Sequence, residues 1–562
     1  MSTVDEYNAL GRTLYAQGDL SGALEHFQHV ACLQPLEAAA HANVGFVLRE
    51  QKRFPEALTH FQQALHLAPH WPELYFNVGQ TWYEQGNLGQ AIRCYQQAIA
   101  LRPTYADAYY NLGVVYQAQG ELTQARLAYE AVLHYQPETP EAYNNLGGVL
   151  LAMEELEAAR LAYEAALRLQ PEAAETHNNL GTVLLAQAHL QEAREHCETA
   201  IRLNPEDPTS YNNLGVVLRE QGALQAAEAA HEYALQLRPD FAEAWWNCAL
   251  VWLAQGNLAQ GWPAYEWRWH TAQAPRSFPL PLWDGGPLIG RTILVTAEQG
   301  VGDALLFASC LPDLLAQAGH VVIACDQRLT VLLRRAFPAA TVCSVDCEEP
   351  RIWLKQVPPV DVYLPMGSLP LYLRPTLESF PTLPGYLLPD PGRAQQYRHY
   401  LDSLGPGRKI GIAWRSLKNR QEIAHYPPLE QWKAVLTLPG VEYINLQYDD
   451  PEAELDAAHQ RWGTPMHSCC DLDLMHDLEG TAALISMLDV VIGPETTVTA
   501  LAGALGRPVW RLTASEGSWT SLGTAHCPWF PSMHVVRPQQ RGQWADALQR
   551  VARDIARLEV NA

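Results

Sequence analysis

The 562-residue sequence is poor in positive charge and contains no long apolar run. It contains 38 lysines and arginines and 61 acidic residues, which gives a formal net charge of −23. A surface this acidic repels a phosphate backbone and disfavours nucleic acid as a partner. No apolar run approaches the roughly 18 residues of a membrane span, and the first residues lack the basic and apolar regions of a secretory signal. We therefore expect a cytoplasmic protein without a membrane span.

The cysteines follow no metal-binding or disulfide pattern. There are 11 of them, an odd number, and none forms a paired CxxC spacing. This usage predicts reduced thiols and no structural zinc site. At 18% charged and 48% apolar residues the chain is expected to fold, and its length predicts more than one domain.

A repeat with a period of 34 residues dominates the first half of the chain. Small residues keep this period at Gly11, Gly45, Gly79, Gly113, Gly147, Gly181, Gly215 and Ala249. A mostly aromatic series keeps it at Phe27, Phe61, Tyr95, Tyr129, Tyr163, Cys197, His231 and Tyr265. The pattern predicts antiparallel helix pairs that approach closely at the small residues, with a proline ending each second helix.

These residues resemble the tetratricopeptide repeat family over residues 1–270, as eight units. The resemblance implies an α-solenoid whose concave groove binds proteins or peptides. Tryptophans at the end of the eighth unit (Trp262, Trp267 and Trp269) are expected to cap the array and dock it on the second half of the chain.

One polar series, the asparagine row, precedes seven of the eight small residues by two positions. Its members are Asn43, Asn77, Asn111, Asn145, Asn179, Asn213 and Asn247. In the repeat family this helix lines the groove, and a similar row in O-linked N-acetylglucosamine transferases holds protein substrates. The row is therefore a candidate acceptor-binding surface, where carboxamides bond an extended peptide backbone. The alternative is that each asparagine bonds the neighbouring turn.

Strands and helices alternate in the second half. A proline- and glycine-rich linker is expected at 271–290, then one αβ unit at 291–400 and another at 405–562, with a last helix crossing back to the first unit. The alternation predicts parallel sheets covered by helices. Two such units predict facing domains, with ligands beyond the carboxyl ends of the strands.

Two loops in this half carry candidate site residues. In the first, Gly300 and Gly302 free the backbone to approach a ligand and leave Asp303 at a helix start, where an ordinary N-cap role is the alternative. The second brings Arg415 and Lys418 to the end of a strand, where cations suit a diphosphate. The alternative for this second loop is a solvated basic surface.

A third loop turns sharply from a strand into a helix. It presents Glu495, Thr496 and Thr497 at the helix N-terminus. Backbone N–H groups and the helix dipole favour anions at such a position. We expect this loop to bind the phosphate groups of a ligand.

Residues 283–540 resemble glycosyltransferases related to the heptosyltransferase family, which have the GT-B fold of two facing Rossmann-like domains. The resemblance rests on WDGGPLIGRTILVTAEQGVGDALLFASCLP, GIAWRS, TAALISMLDVVIGPETTVTALAGALGRPVW and CPWFPSM. Tetratricopeptide arrays followed by this domain form a bacterial class, of which some members are implicated in flagellin glycosylation.

The resemblance implies roles for individual residues. Asp303 falls where the family has its proposed catalytic base, and Arg415 and Lys418 fall near its diphosphate-binding basic residue. Glu495 with the two threonines falls where many relatives have an aspartate, a threonine and a small residue. Two further positions depart from the family: Ala500 replaces a histidine and Gly480 replaces an aspartate.

Together these features predict an enzyme, a glycosyltransferase that moves a sugar from a nucleotide sugar to a hydroxyl of a protein held by the repeats. The resemblance implies an inverting reaction without a metal or a cofactor, the nucleotide sugar being a substrate. Hexosyl, heptosyl and nonulosonic acid transfer all stay open. The alternatives are a non-catalytic scaffold with a decayed transferase domain, and a transferase for a lipid-linked or polysaccharide acceptor.

Overall fold

The computed structural model describes residues 3–271, 278–344, 357–416, 426–469, 471–514, 517–539 and 542–558. The chain divides into two compact units, Met1–Leu184 and Leu185–Ala562. The division falls inside the repeats, so the second unit holds the last repeats together with both sheets.

Residues 3–265 fold as eight consecutive helix pairs, which confirms the helical solenoid that the spacing predicts. The helices are α1 Thr3–Ala16, α2 Leu20–Leu33, α3 Ala38–Glu50, α4 Phe54–Leu67, α5 Pro72–Glu84, α6 Leu88–Leu101, α7 Ala106–Ala118, α8 Leu122–Tyr135, α9 Pro140–Ala152, α10 Leu156–Leu169, α11 Ala174–Ala186, α12 Leu190–Leu203, α13 Pro208–Glu220, α14 Leu224–Leu237, α15 Ala242–Ala254 and α16 Leu258–Tyr265.

Glycine on the first helix of a pair lets an aromatic ring of the second helix approach the backbone. A Cβ atom on Gly45 would lie 2.6 Å from the ring of Phe61, and one on Gly113 would lie 2.8 Å from the ring of Tyr129. Any side chain larger than hydrogen would displace these buried rings. The glycine is therefore a packing requirement in these pairs.

Two parallel sheets come after the repeats. The first contains β1 Thr292–Thr296, β2 His320–Cys325, β3 Thr341–Ser344 and β4 Val362–Pro365, in the order β3-β2-β1-β4. The second contains β5 Arg408–Ile412, β6 Val441–Asn445, β7 Met466–His467, β8 Val490–Pro494, β9 Val509–Leu512 and β10 Met533–Val536, in the order β10-β9-β8-β5-β6-β7. Every pairing between these named strands is parallel, as the alternation predicts.

Ten α-helices lie between and after the strands in the described residues. They are α17 Val301–Phe307, α18 Leu311–Leu315, α19 Gln327–Ala336, α20 Leu369–Leu373, α21 Pro391–Ser403, α22 Lys433–Leu436, α23 Glu452–Trp462, α24 Leu478–Ser486, α25 Thr497–Ala504 and α26 Ala545–Arg557. Residues 301–315 form α17, a 3-10 turn and α18 in place of one continuous helix. Pro312 lacks the N–H that would continue a single helix.

One apolar core joins the last repeat to both sheets within the second unit. Trp262 is 2% exposed and contacts Trp519 and Trp529 edge to face, with ring centroids 6.5 Å and 6.0 Å away. Its indole N–H donates to the carbonyl of Arg374 at 3.0 Å. The expected docking of the array is thereby confirmed for Trp262.

Two expectations for the second half differ from the structure. Part of the expected linker packs on the first sheet, since Leu282 bridges to Tyr363 and Trp283 is 3% exposed. The last helix, α26, packs on the second sheet, where Leu548 and Val551 join Ile410 in one core. The expected return of this helix to the first αβ unit is wrong, because its apolar face covers the sheet next to it in the chain. Among the described residues, no helix has both the length and the apolar character to cross a membrane.

Candidate active site

Loops from the carboxyl ends of both sheets line one cavity of about 200 Å³. One wall is the loop after β1 with the start of α17, and the other is the loop after β8 with the start of α25. The strand order reverses between β1 and β4 in the first sheet and between β5 and β8 in the second. Ligands of parallel αβ sheets bind at such reversals. We call this space the intersheet cavity.

Asp303 lies in the first turn of α17 and lines the intersheet cavity. The N-cap of α17 is Gly300, so the N-cap role considered for Asp303 is wrong. Gly302 brings the two walls together, since a Cβ on it would contact the Thr497 nitrogen at 3.7 Å. The predicted glycines and the predicted base therefore face the third loop directly.

The third loop occupies the opposite wall. Glu495, Thr496 and Thr497 all line the cavity, and Thr496 is the N-cap of α25. The Thr496 N–H donates to Thr499 Oγ1 at 3.2 Å, while Thr499 Oγ1 donates to the Pro494 carbonyl at 2.8 Å. These bonds fix the turn, and the first N–H groups of a helix have no acceptor within it.

Arg511 was not predicted from the sequence, and it lies in the same wall. Its side chain is 3% exposed, and its Nη1 donates to Glu495 Oε1 at 3.3 Å. Glu495 also accepts hydrogen bonds from Ser518 Oγ at 3.1 Å and from the Thr520 hydroxyl. The available signal was a single arginine inside the apolar strand Val509–Leu512, since a buried cation needs a partner.

Arg415 does not line the intersheet cavity, although its neighbour Ser416 does. Its guanidinium pairs with Asp449 at 2.6 Å and with Glu454. Burial acts to lower the pKa of Arg415, and hydrogen bonds to the two carboxylates more than offset this and raise it. Lys418 lies outside the described residues. Among the described residues, the acidic and basic side chains that line the cavity are therefore those of Asp303, Glu495 and Arg511.

The two positions that depart from the resembling family have different surroundings. Ala500 lines the cavity, at the position where the resemblance implies a histidine. Gly480 lies outside it, at the start of α24, where its N–H donates to the capping carboxylate of Asp477 at 2.9 Å. A Cβ there would lie 2.6 Å from both Asp477 Oδ2 and Leu472 Cδ1. Close packing explains the glycine at this position.

The loop after β1 is tied to the last repeat by buried polar contacts. Glu298, 6% exposed, accepts from Arg268 Nη2 at 3.1 Å and from the Gly367 N–H at 3.1 Å. Burial raises the pKa of the Glu298 carboxyl, and the Arg268 charge opposes this. Gln299 Nε2 donates to the Tyr265 hydroxyl at 2.8 Å. The repeat end and the loop that holds Asp303 are thus packed as one structure.

In the first unit, members of the asparagine row use their side-chain N–H groups internally. Asn77 and Asn111 donate to backbone carbonyls four residues earlier, at 2.5 Å and 2.9 Å. Asn145 donates to the Tyr110 hydroxyl at 3.0 Å and Asn179 to Asn144 Oδ1 at 3.2 Å. The alternative considered for the row is a bond to the neighbouring turn, but the acceptors found here are carbonyls of the same helix and side chains of the preceding repeat.

The second unit holds the last two members of the row. Asn247 Nδ2 donates to Asn212 Oδ1 at 3.0 Å, which also accepts from the buried His231 ring at 3.1 Å. Asn213 lies on α13, and Asn43, in the first unit, lies half-buried on α3. Peptide binding by the row stays a prediction. Among the described residues, no three histidine, cysteine, aspartate or glutamate side chains are grouped so that they could hold a metal ion.

Comparison with known proteins places the repeats in a family. The family model for the tetratricopeptide repeat matches residues 8–72, 115–174 and 178–240. A second family model, for the TPR repeat, matches residues 79–120. The chain is 38% identical over 308 residues to Protein FlbA of Caulobacter vibrioides, a match that covers 52% of this chain and 51% of that protein. The match therefore spans about half the length of that relative.

Solved repeat proteins also match. The chain is 23% identical to YrrB, described as a TPR protein with an unusual peptide-binding site, with a TM-score of 0.30 over 33% of this chain and 95% of that one. It is 26% identical to the MamA protein, with a TM-score of 0.29 over 31% of this chain and 94% of that one. By the family matches and the helix pairs, residues 8–240 are tetratricopeptide repeats.

Proposed function

We propose that this protein is a glycosyltransferase that moves a sugar from a nucleotide sugar to a hydroxyl group of a protein bound by its repeats, with inversion and in a GT-B fold. The observation that carries the proposal is the meeting of Asp303 with Glu495, Thr496 and Thr497 in one cavity. Asp303 is far in sequence from the other three residues, and the two groups come from the carboxyl ends of two different parallel sheets. A two-substrate transfer needs such a site between two walls.

In the proposed reaction, Asp303 accepts the proton of the acceptor hydroxyl as the oxygen attacks the anomeric carbon. The bond between that carbon and the leaving phosphate oxygen breaks, and the nucleotide departs with the electron pair. Attack opposite the leaving group inverts the anomeric configuration. A positioned carboxylate contributes about 10² to 10⁴ in rate in general-base catalysis.

The leaving nucleotide would be held by the opposite wall. Arg511 and the N-terminus of α25 supply the positive charge and N–H donors there. Glu495 partly neutralises Arg511 and, through Ser518 and Thr520, fixes the rim of the cavity. We assign Glu495 to the orientation of the donor sugar, since a carboxylate accepts hydrogen bonds from sugar hydroxyls.

A binding and transfer experiment tests the proposal. The melting temperature of the full chain is measured separately with UDP-, GDP-, ADP-, dTDP- and CMP-linked sugars. Each is used at millimolar concentration, at which even a weak ligand raises the melting temperature. The stabilising donor is then incubated with serine and threonine peptides, and the peptide mass is followed. Stabilisation by one nucleotide family and a glycosyl mass increment are expected. No stabilisation by any member would contradict the proposal.

A repeat scaffold without catalysis is the second candidate, and two observations favour it. Arg415, predicted to bind the donor, is paired with Asp449 and Glu454 instead. Ala500 leaves the cavity without the imidazole usual in the resembling family. A scaffold would bind protein partners through its repeats and leave the melting temperature unchanged with every nucleotide sugar. The same panel therefore separates the two functions.

A further inference from the structure

A second cavity, of about 370 Å³, lies on the repeat side of the loop after β1. Its walls include Trp246 and Leu250 of α15, Tyr265 at the end of α16, and Trp519. We call it the repeat-end cavity. It shares Gly300 and Asp303 with the intersheet cavity, so the proposed base is accessible from both sides.

The ionisable groups of the repeat-end cavity are largely paired. Arg268 is neutralised by Glu266 at 2.6 Å and Glu298 at 3.1 Å. An anionic nucleotide would gain little from a guanidinium that two carboxylates already hold. The electrostatics favour an uncharged polar ligand.

Two N–H groups in the lining lack an acceptor among the described residues. They are Arg268 Nε, on a side chain that is 5% exposed, and Trp246 Nε1. A buried donor left without an acceptor destabilises the site that contains it. Carbonyl oxygens of a peptide backbone are neutral acceptors of the kind that such N–H groups need.

The walls also supply an apolar surface. Trp246, Tyr265 and Trp519 present aromatic rings and Leu250 an aliphatic side chain. Leu250 follows Trp246 by four residues and Asn247 by three, so these side chains share one face of α15. A chain segment bound along the asparagine row at Asn247 would therefore continue into the cavity.

We propose that the repeat-end cavity binds the acceptor peptide beside its modified serine or threonine, with an apolar side chain of the peptide among the aromatic rings and its backbone carbonyls on Trp246 and Arg268. This rests on the proposed transferase function, and it adds a sequence preference: a hydroxyl residue flanked by an apolar residue. The hydroxyl then enters at Asp303 while the donor occupies the intersheet cavity.

The test uses the full chain and a library of nine-residue peptides with a fixed central serine and randomised flanks. Peptides that co-elute with the protein are sequenced by mass spectrometry. An enrichment of apolar residues of about fivefold or more at one flanking position is expected. Leu250→Arg should abolish the enrichment, whereas Leu388→Arg, at a leucine that is 55% exposed, should retain it.

Trp246→Phe provides a second, milder variant, because it keeps an aromatic ring and removes the N–H. The Kd of an enriched peptide should rise about tenfold, which corresponds to the roughly 1.4 kcal/mol of one hydrogen bond. Equal enrichment in wild type and Leu250→Arg, or none in wild type, would overturn the proposal. The nucleotide-sugar panel tests the transferase function separately from the peptide site. If the protein selects peptides but no nucleotide sugar stabilises it, the transferase function is rejected and the cavity remains a peptide site.

Discussion

Arg511 donates a hydrogen bond from Nη1 to Glu495 Oε1 at 3.3 Å and so joins the end of β9 to the end of β8 in the wall of the intersheet cavity. The guanidinium also bonds Ser521 Oγ at 3.1 Å through Nη2. A buried cation between these partners has little freedom to turn. This pair therefore presents a fixed charge arrangement to a donor.

Arg511→Lys should weaken donor binding. Lysine keeps the charge but cannot hold two partners with a planar fork, so the donor Kd should rise about tenfold, or roughly 1.4 kcal/mol. The measurement is the melting-temperature shift as a function of nucleotide-sugar concentration. Arg507→Lys, near the other end of β9, is the matched control and should keep the wild-type Kd. An unchanged Kd in Arg511→Lys would exclude Arg511 from the donor site.

Asp303→Asn should abolish transfer while it leaves donor binding intact. The amide cannot accept the hydroxyl proton, so kcat should fall by about 10² to 10⁴. The rate is followed as nucleotide release with a serine peptide as acceptor, and the donor shift is recorded in parallel. Asp402→Asn, on the exposed side of α21, serves as control and should retain full activity. Retained transfer in Asp303→Asn would assign the base to another group.

Gly480→Ala should destabilise the second sheet region. The new Cβ would meet the Asp477 carboxylate and Leu472 at 2.6 Å, and overpacking of this kind typically costs about 1–3 kcal/mol. Chemical denaturation followed by tryptophan fluorescence measures the change. Gly89→Ala, in helix α6 where nothing lies within 4 Å, is the matched substitution and should be neutral or stabilising by up to about 1 kcal/mol. Equal effects at both positions would disprove the packing argument.

His231→Phe should remove an acid sensitivity of the repeats. Burial lowers the pKa of the fully buried His231 from 6.5 to about 3, so the folded chain keeps the ring neutral while the unfolded chain takes up a proton. Stability is therefore complete above about pH 6.5 and falls as the pH drops towards 3. At pH 5 the loss amounts to about 2 kcal/mol.

Phenylalanine fits this position because Phe61 occupies the same place in an earlier repeat, against Gly45 as His231 lies against Gly215. Urea unfolding at pH 7.5 and pH 5.0 measures the difference for wild type and variant. The variant should lose less stability on acidification by about 2 kcal/mol. An equal loss in both proteins would show that His231 is protonated in the folded chain.

Asn111→Ala with Asn145→Ala tests the asparagine row. Peptide binding by the row predicts an acceptor Kd at least about tenfold higher, from the loss of two backbone bonds of about 1 kcal/mol each. Fluorescence anisotropy of a labelled acceptor peptide measures the Kd. Asn87→Ala removes the N-cap of α6, where Asn87 accepts from the Gln90 N–H at 3.2 Å, so it should lower stability without changing the Kd. If the double variant behaves like this control, the row only stabilises the helices.

The sequence by itself determined the repeats and the type of the second half. The repeats could be predicted because each contact between a glycine and an aromatic ring joins residues only about 16 positions apart, and the pattern recurs every 34 residues. Apolar runs such as Val490–Pro494 likewise predict buried parallel strands, which need no polar face. Asp303, Glu495 and the two threonines were found because they follow predicted strands.

Only the tertiary structure decided which cations reach the cavity. Arg415 follows a strand as the prediction requires, yet Asp449 and Glu454 from a neighbouring loop and helix hold it outside. In the sequence, Arg511 is one residue of an otherwise apolar strand, and only the folded structure shows that it pairs with Glu495. The fold decides which carboxylates pair with a guanidinium, and here those partners lie 34, 39 and 16 residues away in the chain.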